Sequence, residues 1–237
     1  SPYNARNHEY YSEDAVLTSG QAVAFISGGK EYGVIIAPKH LAFNDTEINR
    51  TGVSVFMTEQ QARENELRGT QASIEDAGAL GVMTAFNRVG ITAANAHTGL
   101  LKNILRGEWG FKGLESQDFI MNPNYAVLKE YALNGGTMTT FTGENTMAAV
   151  SEKFAYWTTE NVGQDTELMS AIKQAMTWQA YALANSNALD GMASSTRLVS
   201  VRTWYDNALV AVQVVFAALT VLAAAMYVLN DRKSKKQ

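Results

Sequence analysis

The sequence has no cysteine. That excludes disulfides, zinc–thiolate sites and a cysteine nucleophile, and leaves the compartment open. It also has no excess of positive charge: the net charge is −4, and its basic residues are scattered except at the very end. A mildly acidic chain of this kind carries no electrostatic footprint for nucleic acid. There are no internal repeats and no low-complexity tracts. Neither GxGxxG nor a Walker sequence follows any strand-like run, so nothing supports a nucleotide-binding fold. The first residue is Ser1, with no signal peptide near it, so the expectation is a chain cut from something longer.

What is present is enough apolar matter for a core. Hydrophobic residues make up 46% and aromatics 10% of 237 residues, which suits one ordinary domain plus something extra. The extra part is legible. Residues 208–229 (ALVAVQVVFAALTVLAAAMYVL) contain no charge, and only Gln213 and Thr220 are clearly polar. At about 1.5 Å per residue such a helix reaches roughly 33 Å, enough for a hydrocarbon layer of about 30 Å. Trp204, Tyr205 and Tyr227 fit the interfacial aromatic pattern. The tail that follows sets Arg232, Lys233, Lys235 and Lys236 against Asp231. By the positive-inside tendency this places the tail in the cytoplasm and everything before Ala208 outside. A buried core helix is the plainer alternative, but such a helix with no polar face is rare.

The expected division is therefore a folded region at 1–190, a linker at 191–207, a transmembrane helix at 208–229 and a basic tail at 230–237. Within the first region, short apolar or β-branched runs appear at Val34–Ala37, Gly81–Phe86, Leu114–Asp118 and Thr137–Phe141. Helical spacing fills Thr58–Ala79 (Thr58 as N-cap), His97–Leu105, Asn124–Leu133 and Thr166–Asn187. Asn122-Pro123 marks a helix start, and Asn134-Gly135-Gly136 a stop. The last helix carries a stripe of Leu168, Ile172, Ala175, Met176, Gln179 and Leu183. Alternation of strand and helix predicts βαβ units and a parallel sheet. Four units are visible where a (β/α)8 barrel has eight, so the expectation is a partial TIM-type barrel, α/β in class, with an open doubly wound sheet as the alternative.

In parallel α/β folds the strand C-termini carry the site. Three clusters fall there. Pro38-Lys39-His40 follows VIIA and leads into a polar loop with Asn44, Asp45, Glu47, Asn49 and Arg50. Two cations and a histidine suit a ligand with many hydroxyls; a solvated loop is the plainer reading. Met83–Arg88 ends in Phe86-Asn87-Arg88, a possible aromatic wall or an ordinary loop. Asp118 ends LESQD and fits a nucleophile or base, or a helix N-cap.

Together these segments resemble family 3 glycoside hydrolases. RNHEYYSED (6–14) is similar to the family's GRNFEYFSEDP, and KHLAFNDTEINR (39–50) to KHFxxNxQExNR. GVMTAFNRVG (81–90) is similar to GxMxSYNRVN, and LLKNILRGEWGFKGLESQD (100–118) to LLTDVLRGEWGFKGFVVSD. The matches run in the family's order over about residues 5–143. The resemblance implies that Asp118 is the nucleophile of a retaining β-glycosidase acting on terminal glucosyl or related residues. It implies that Lys39 and His40 hold sugar hydroxyls, that Arg6 and Arg50 are further sugar-binding arginines, and that Met83, Phe86 and Phe119 line the pocket. Phe86 stands where tyrosine is frequent, Phe119 where tryptophan is, and Gln117 where serine or threonine is. These departures leave a non-catalytic, glycan-binding or cell-surface descendant as the alternative. The KHFPGHGD pattern of the N-acetylglucosaminidase branch is absent, so the acid/base expected is a glutamate on a separate α/β sandwich domain. Of the available acids, Glu47, Glu115 and Glu144 match no such position, and a surface role is expected for each. The segment 166–192 resembles the tail of members with reversed domain order, which implies an upstream sandwich domain. A basic tail after a single span fits a bacterial cell surface best, and half a barrel with unpaired edge strands is expected to be poorly stable and inactive alone. No metal or organic cofactor is implied.

Overall fold

A computed structural model describes residues 6–44, 46–50, 53–119, 127–140, 155, 157–192, 196–197, 199 and 201–235. The chain forms two compact units, residues 1–190 and 191–237.

The first unit is α/β. Its main sheet is parallel, with strands β1 (Lys39–Leu41), β3 (Gly81–Thr84) and β6 (Leu114–Gln117) in that spatial order. A single parallel bridge from Ser116 to Met138 continues it by one more strand position. A smaller sheet joins β2 (Ser54–Val55) to β4 (Arg88–Val89) in parallel and β4 to β5 (Thr92–Ala93) in antiparallel fashion.

The first helix, α1 (Ala15–Glu31), is a feature that sequence patterning did not show. It carries three glycines and little amphipathicity, so no 3.6-residue stripe announces it. It starts because Asp14 accepts the N–H of Leu17 at 2.7 Å, an N-cap bond. It is held by packing of Ala22 and Ile26 and by close approach to α3 (Arg68–Glu75). A Cβ at Gly69 would lie 2.7 Å from Thr18, so the closeness requires glycine there. The stretch predicted as one helix over Thr58–Ala79 begins where expected, with Thr58 accepting from Gln61 N–H. It then runs as α2 (Glu59–Gln61), a π-helical turn at Ala62–Glu66, and α3.

Strands Gly81–Thr84 and Leu114–Gln117 fall inside the predicted runs. The first predicted strand does not. Val34–Ala37 is outside any ladder, and pairing starts only where Met83 N–H donates to Pro38 O. Pro38 offers no N–H, and Ala37 and Ile35 crowd Gly81, where an added Cβ would sit 2.9 Å from the Ala37 Cβ. Lys39 and His40 are thus in the strand, not in a loop after it. The fourth predicted strand is reduced, among the described residues, to the Met138 bridge.

A π-helix at Gly99–Glu108 follows, where a helix was predicted over His97–Leu105. It buries Leu100, Leu101 and Leu105 against Val82, Trp109 and Phe111. Each such side chain removed from water contributes about 1.5–3 kcal/mol. The helix predicted at Asn124–Leu133 is seen as α4 (Leu128–Leu133); the Asn122-Pro123 signal lies outside the described residues. α5 (Thr159–Gln164) leads to α6 (Thr166–Ala184), capped by Asp165. Of the stripe foreseen on α6, Leu168 and Ala175 are buried and Ile172 and Gln179 half-buried, while Met176 and Leu183 are exposed and Ala182 is buried instead. The guanidinium of Arg106 stacks 3.8 Å from the Trp178 ring. The same guanidinium donates to the carbonyls of Gly135, Phe111 and Gly113 at 2.7–3.1 Å, and so ties β6 to its neighbours.

The second unit contains α7 (Trp204–Ser234), which begins before and ends after the predicted span. Among the described residues it is the one helix long and apolar enough to cross a membrane, over Trp204–Asp231, with a mean hydropathy of 2.4.

Candidate active site

The site forms where β1 and β6 end. The ladder between β1 and β3 slips by one residue between Lys39 and Leu41, a bulge at His40. Bulges re-aim side chains. Here the imidazole Nε2 comes to 3.1 Å from Asp118 Oδ2, with the His40 side chain 1% exposed and Asp118 8%. The other carboxylate oxygen, Oδ1, accepts the N–H of Phe119 at 2.8 Å. Behind His40, Nδ1 lies 2.8 Å from the Tyr10 hydroxyl.

Burial acts to raise the Asp118 pKa. The hydrogen bonds from His40 and Phe119 and the charge of Arg50 outweigh it, leaving the carboxyl below its ordinary range. Burial pushes the Tyr10 phenol up to about 12, so it stays protonated.

A row of alternating charges runs beside this pair. Lys39 Nζ donates to Glu9 at 2.7 Å, and Glu9 is gripped by two nitrogens of Arg6 at 2.8 and 2.6 Å. Arg6 also lies 3.6 Å from Glu47, which pairs with Arg50 at 2.8 Å. Arg50 in turn sits 4.5 Å above the centre of the Phe86 ring. The hydrogen bonds from Arg6 and Lys39 hold the Glu9 carboxyl well below the carboxylate range. Such a row fixes the reach of three long cations before any ligand arrives.

The structure brings the predicted residues into two connected groups. His40 and Asp118 touch, and Phe119 joins them through its backbone N–H; its ring is 45% exposed. Arg6, Lys39, Arg50 and Phe86 are linked through Glu9 and Glu47. Met83 stands on β3, paired with Lys39 on one side and Ser116 on the other. Sequence reasoning left out Glu9 and Tyr10, although both stand in the RNHEYYSED segment. It assigned Glu47 to the surface, whereas Glu47 bridges two of the predicted arginines. The larger correction concerns Glu115, also expected at the surface: it is fully buried. The reason is strand alternation, which turns Glu115 and Gln117 to the face opposite Asp118. Glu144 lies outside the described residues.

A cleft of about 700 Å³ opens beside Tyr10, Lys39 and His40, with Ala22 and Phe25 of α1 on its apolar side. Among the described residues there is no cluster of three or more His, Asp or Glu side chains able to hold a metal ion.

Comparison with known proteins gives a consistent result. Residues 1–155 match the family described as "Glycosyl hydrolase family 3 N terminal domain". "Probable beta-glucosidase J" of Emericella nidulans is 39% identical over 118 residues, which is 50% of this chain and 14% of that protein. "Beta-glucosidase" of Rhizobium radiobacter is 38% identical over 119 residues, again 50% of this chain and 14% of that protein. The chain therefore matches about one seventh of the length of these curated relatives. Among solved structures, beta-glucosidase 3B from Thermotoga neapolitana in complex with glucose superposes with a TM-score of 0.68 at 26% identity. That match covers 79% of this chain and 26% of the other. Beta-D-glucoside glucohydrolase from Trichoderma reesei shares the fold, with a TM-score of 0.69 at 21% identity over 84% of this chain and 27% of the other.

Proposed function

The chain belongs to glycosyl hydrolase family 3, and we propose that it carries the nucleophile half of a retaining β-glucosidase-type site. The observation that bears most weight is the contact of His40 with Asp118 at the ends of two parallel strands, inside the matched region. A carboxylate kept ionised, fixed at both oxygens and bordered by three cations suits attack on an anomeric carbon. Asp118 forms the glycosyl-enzyme; a second carboxyl, about 5–5.5 Å away in a retaining pair, protonates the leaving oxygen and then activates water. Arg6, Lys39 and Arg50 take the sugar hydroxyls, while Met83, Phe86 and Phe119 line the pocket; His40, expected to hold a hydroxyl, has both ring nitrogens engaged by Asp118 and Tyr10 and serves the nucleophile instead. The row of charges then acts as a template: Glu9 and Glu47 orient Arg6, Lys39 and Arg50 before the sugar binds.

No acid of this chain is assigned the acid/base role. Glu47 is held between two arginines, and Glu115 is buried on the far face of its strand. The partner acid is proposed to come from a sandwich domain of the same polypeptide, upstream of these residues. This agrees with the small share of the relatives that the chain spans. Residues 1–190 are proposed as the C-terminal part of the barrel domain, 191–207 as linker, 208–229 as a membrane span, and 230–237 as a cytoplasmic basic tail. The folded region then works outside the membrane. The isolated chain is expected to hydrolyse nothing, since it lacks the second carboxyl.

The test is an assay of the full-length gene product on aryl β-glucosides, wild type against Asp118→Asn. Activity that collapses in the variant supports the reading. Equal activity moves the nucleophile elsewhere. No activity in either, across several aryl glycosides, favours a glycan-binding descendant of the family.

A further inference from the structure

We propose that Tyr10 is a positioning residue for the nucleophile: its hydroxyl donates to His40 Nδ1 and so presents Nε2–H to Asp118. The proposal rests on the reading of Asp118 as nucleophile. It starts from three contacts in line. The Tyr10 hydroxyl lies 2.8 Å from Nδ1, and Nε2 lies 3.1 Å from Asp118 Oδ2. The third, from Phe119 N–H to Oδ1, occupies the other oxygen at 2.8 Å. The Tyr10 and His40 rings are tilted by 56° with centroids 6.2 Å apart, so the hydroxyl meets the imidazole edge-on and the rings do not stack.

Proton placement follows from this geometry. A neutral imidazole carries one N–H, and the partner of the other nitrogen decides which. Tyr10 remains a phenol at neutral pH and can fill the Nδ1 lone pair, which leaves the proton on Nε2. The opposite tautomer would aim a lone pair at a carboxylate. The His40 side chain is 1% exposed, so water is not at hand to replace the phenol. Phe119 contributes a backbone N–H that no side chain tunes. His40 is therefore the adjustable support of Asp118, and Tyr10 sets it.

The charged groups around this line come from several elements. Asp118 faces His40 on β1 and Arg50 in the segment after it. Tyr10 faces Arg6, Glu9 and Glu47 as well as Asp118. Removing only the phenol oxygen keeps all of these charges, so Tyr10→Phe isolates the hydrogen bond.

The experiment compares the full-length gene product, in detergent, with its Tyr10→Phe variant. Nitrogen NMR of the imidazoles, with His40 assigned by difference from His40→Asn, reports the tautomer. Carbon NMR of the Asp118 carboxyl reports its titration, and kinetics on an aryl β-glucoside report the chemistry. The expected wild-type pattern is an unprotonated Nδ1 and a protonated Nε2. In Tyr10→Phe, kcat is expected to fall about 10- to 100-fold, the range typical of supports one step removed from a reacting group, with KM within about threefold. The acid limb of the kcat/KM profile should move to higher pH as Asp118 loses part of its support. A merely structural role would lower activity without moving that limb. A rise in KM at constant kcat would make Tyr10 a sugar ligand and overturn the proposal. So would a wild-type Nδ1–H tautomer, a reading that needs no variant to fold. If the protein hydrolyses no glycoside, the functional reading falls. The tautomer and the Asp118 titration then still decide whether Tyr10 sets His40.

Discussion

Two carboxyls on one strand, three residues apart, are driven in opposite directions. Asp118 is held ionised at the end of β6 by His40, the Phe119 N–H and Arg50. Glu115 looks to the other face, is completely buried, and is pushed up to about 7. Burial is the leading cause at Glu115, and the nearby Tyr131 and Thr84 hydroxyls and the charge of Arg106 only partly offset it. Thr84 donates to Oε1 at 2.7 Å, whereas Oε2 finds no hydrogen-bond partner among the described residues. The lesson is that burial alone does not make a nucleophile. Asp118 is buried too, but donors fix both of its oxygens, whereas at Glu115 the support does not offset complete burial and Oε2 is left without a hydrogen-bond partner among the described residues.

The largest effect should separate the two faces by activity. In the full-length gene product, Asp118→Asn is expected to reduce kcat on an aryl β-glucoside by roughly three orders of magnitude or more, as when a reacting group is deleted. Glu115→Gln should leave kcat within about threefold, since it touches no reacting atom. Equal losses in the two variants would erase the distinction between the faces.

The next effect separates them by pH. Glu115 has a folded-state pKa raised from 4.5 to about 7. Its contribution to stability is complete below about pH 4.5 and is lost as pH rises toward and through 7, because the folded state must then either keep a proton that the unfolded chain releases or hold a buried charge. The shift corresponds to something on the order of 3 kcal/mol. Asp118 acts with the opposite sign: its lowered pKa contributes stability above the ordinary carboxylate range, lost as pH falls below it. Urea midpoints of the chain in detergent, followed by circular dichroism between about pH 4.5 and about pH 7.5, should therefore fall with rising pH in the wild type. In Glu115→Gln that fall should disappear, leaving the opposite trend of His97, whose pKa is lowered by burial. A wild type whose slope matches that of Glu115→Gln over the interval would mean that Glu115 is solvated.

Much of this was legible in the sequence, and the exceptions have physical causes. The strands at Gly81 and Leu114 announce themselves because they are short apolar or mixed runs bounded by glycine. The Thr58 cap, the Asn134-Gly135 stop and the ordered family segments are local signals too. What escaped depends on contacts distant in the chain. α1 has no stripe, and its close approach to α3 depends on Gly69 of α3, which faces Thr18. VIIA looks like a strand but lies against Gly81 and precedes a proline, which displaces the ladder to Lys39. No spacing announces that Arg106 stacks on Trp178 of α6. At the site, motif residues Arg6, Lys39, His40, Arg50 and Asp118 could be named from the resemblance. The links from Tyr10 to His40 and from Glu9 to Lys39 could not, since a hydrogen bond over thirty positions leaves no spacing to read; Arg6–Glu9 and Glu47–Arg50 stand three apart, a spacing that could have been read.

A third effect tests what holds the two faces in register. Arg106 donates to three main-chain carbonyls around β6 and stacks on Trp178 and Phe111, and burial lowers its pKa to about 10. Arg106→Ala strands those carbonyls and is expected to cost about 2–4 kcal/mol, which the same urea midpoints would register. Arg106→Lys keeps a cation but not the planar fork, and should fall between. If Arg106→Lys matches the wild type, the charge and not the fork holds β6.

The smallest effect serves as the control that gives the pH comparison its meaning. Thr58 accepts the N–H of Gln61 at 3.2 Å and stands far along the chain from both carboxyls. Thr58→Ala removes one cap bond and should cost about 1 kcal/mol. No titratable group takes part, so its midpoint should drop by the same amount at every pH, leaving the slope intact. That outcome, beside the loss of the fall in Glu115→Gln, attributes the slope to the buried carboxyl and not to weakened folding in general. A cap variant that also loses the fall would show that any loss of stability changes the apparent titration. The opposite behaviour of the two faces of β6 would then rest on the activity measurements alone.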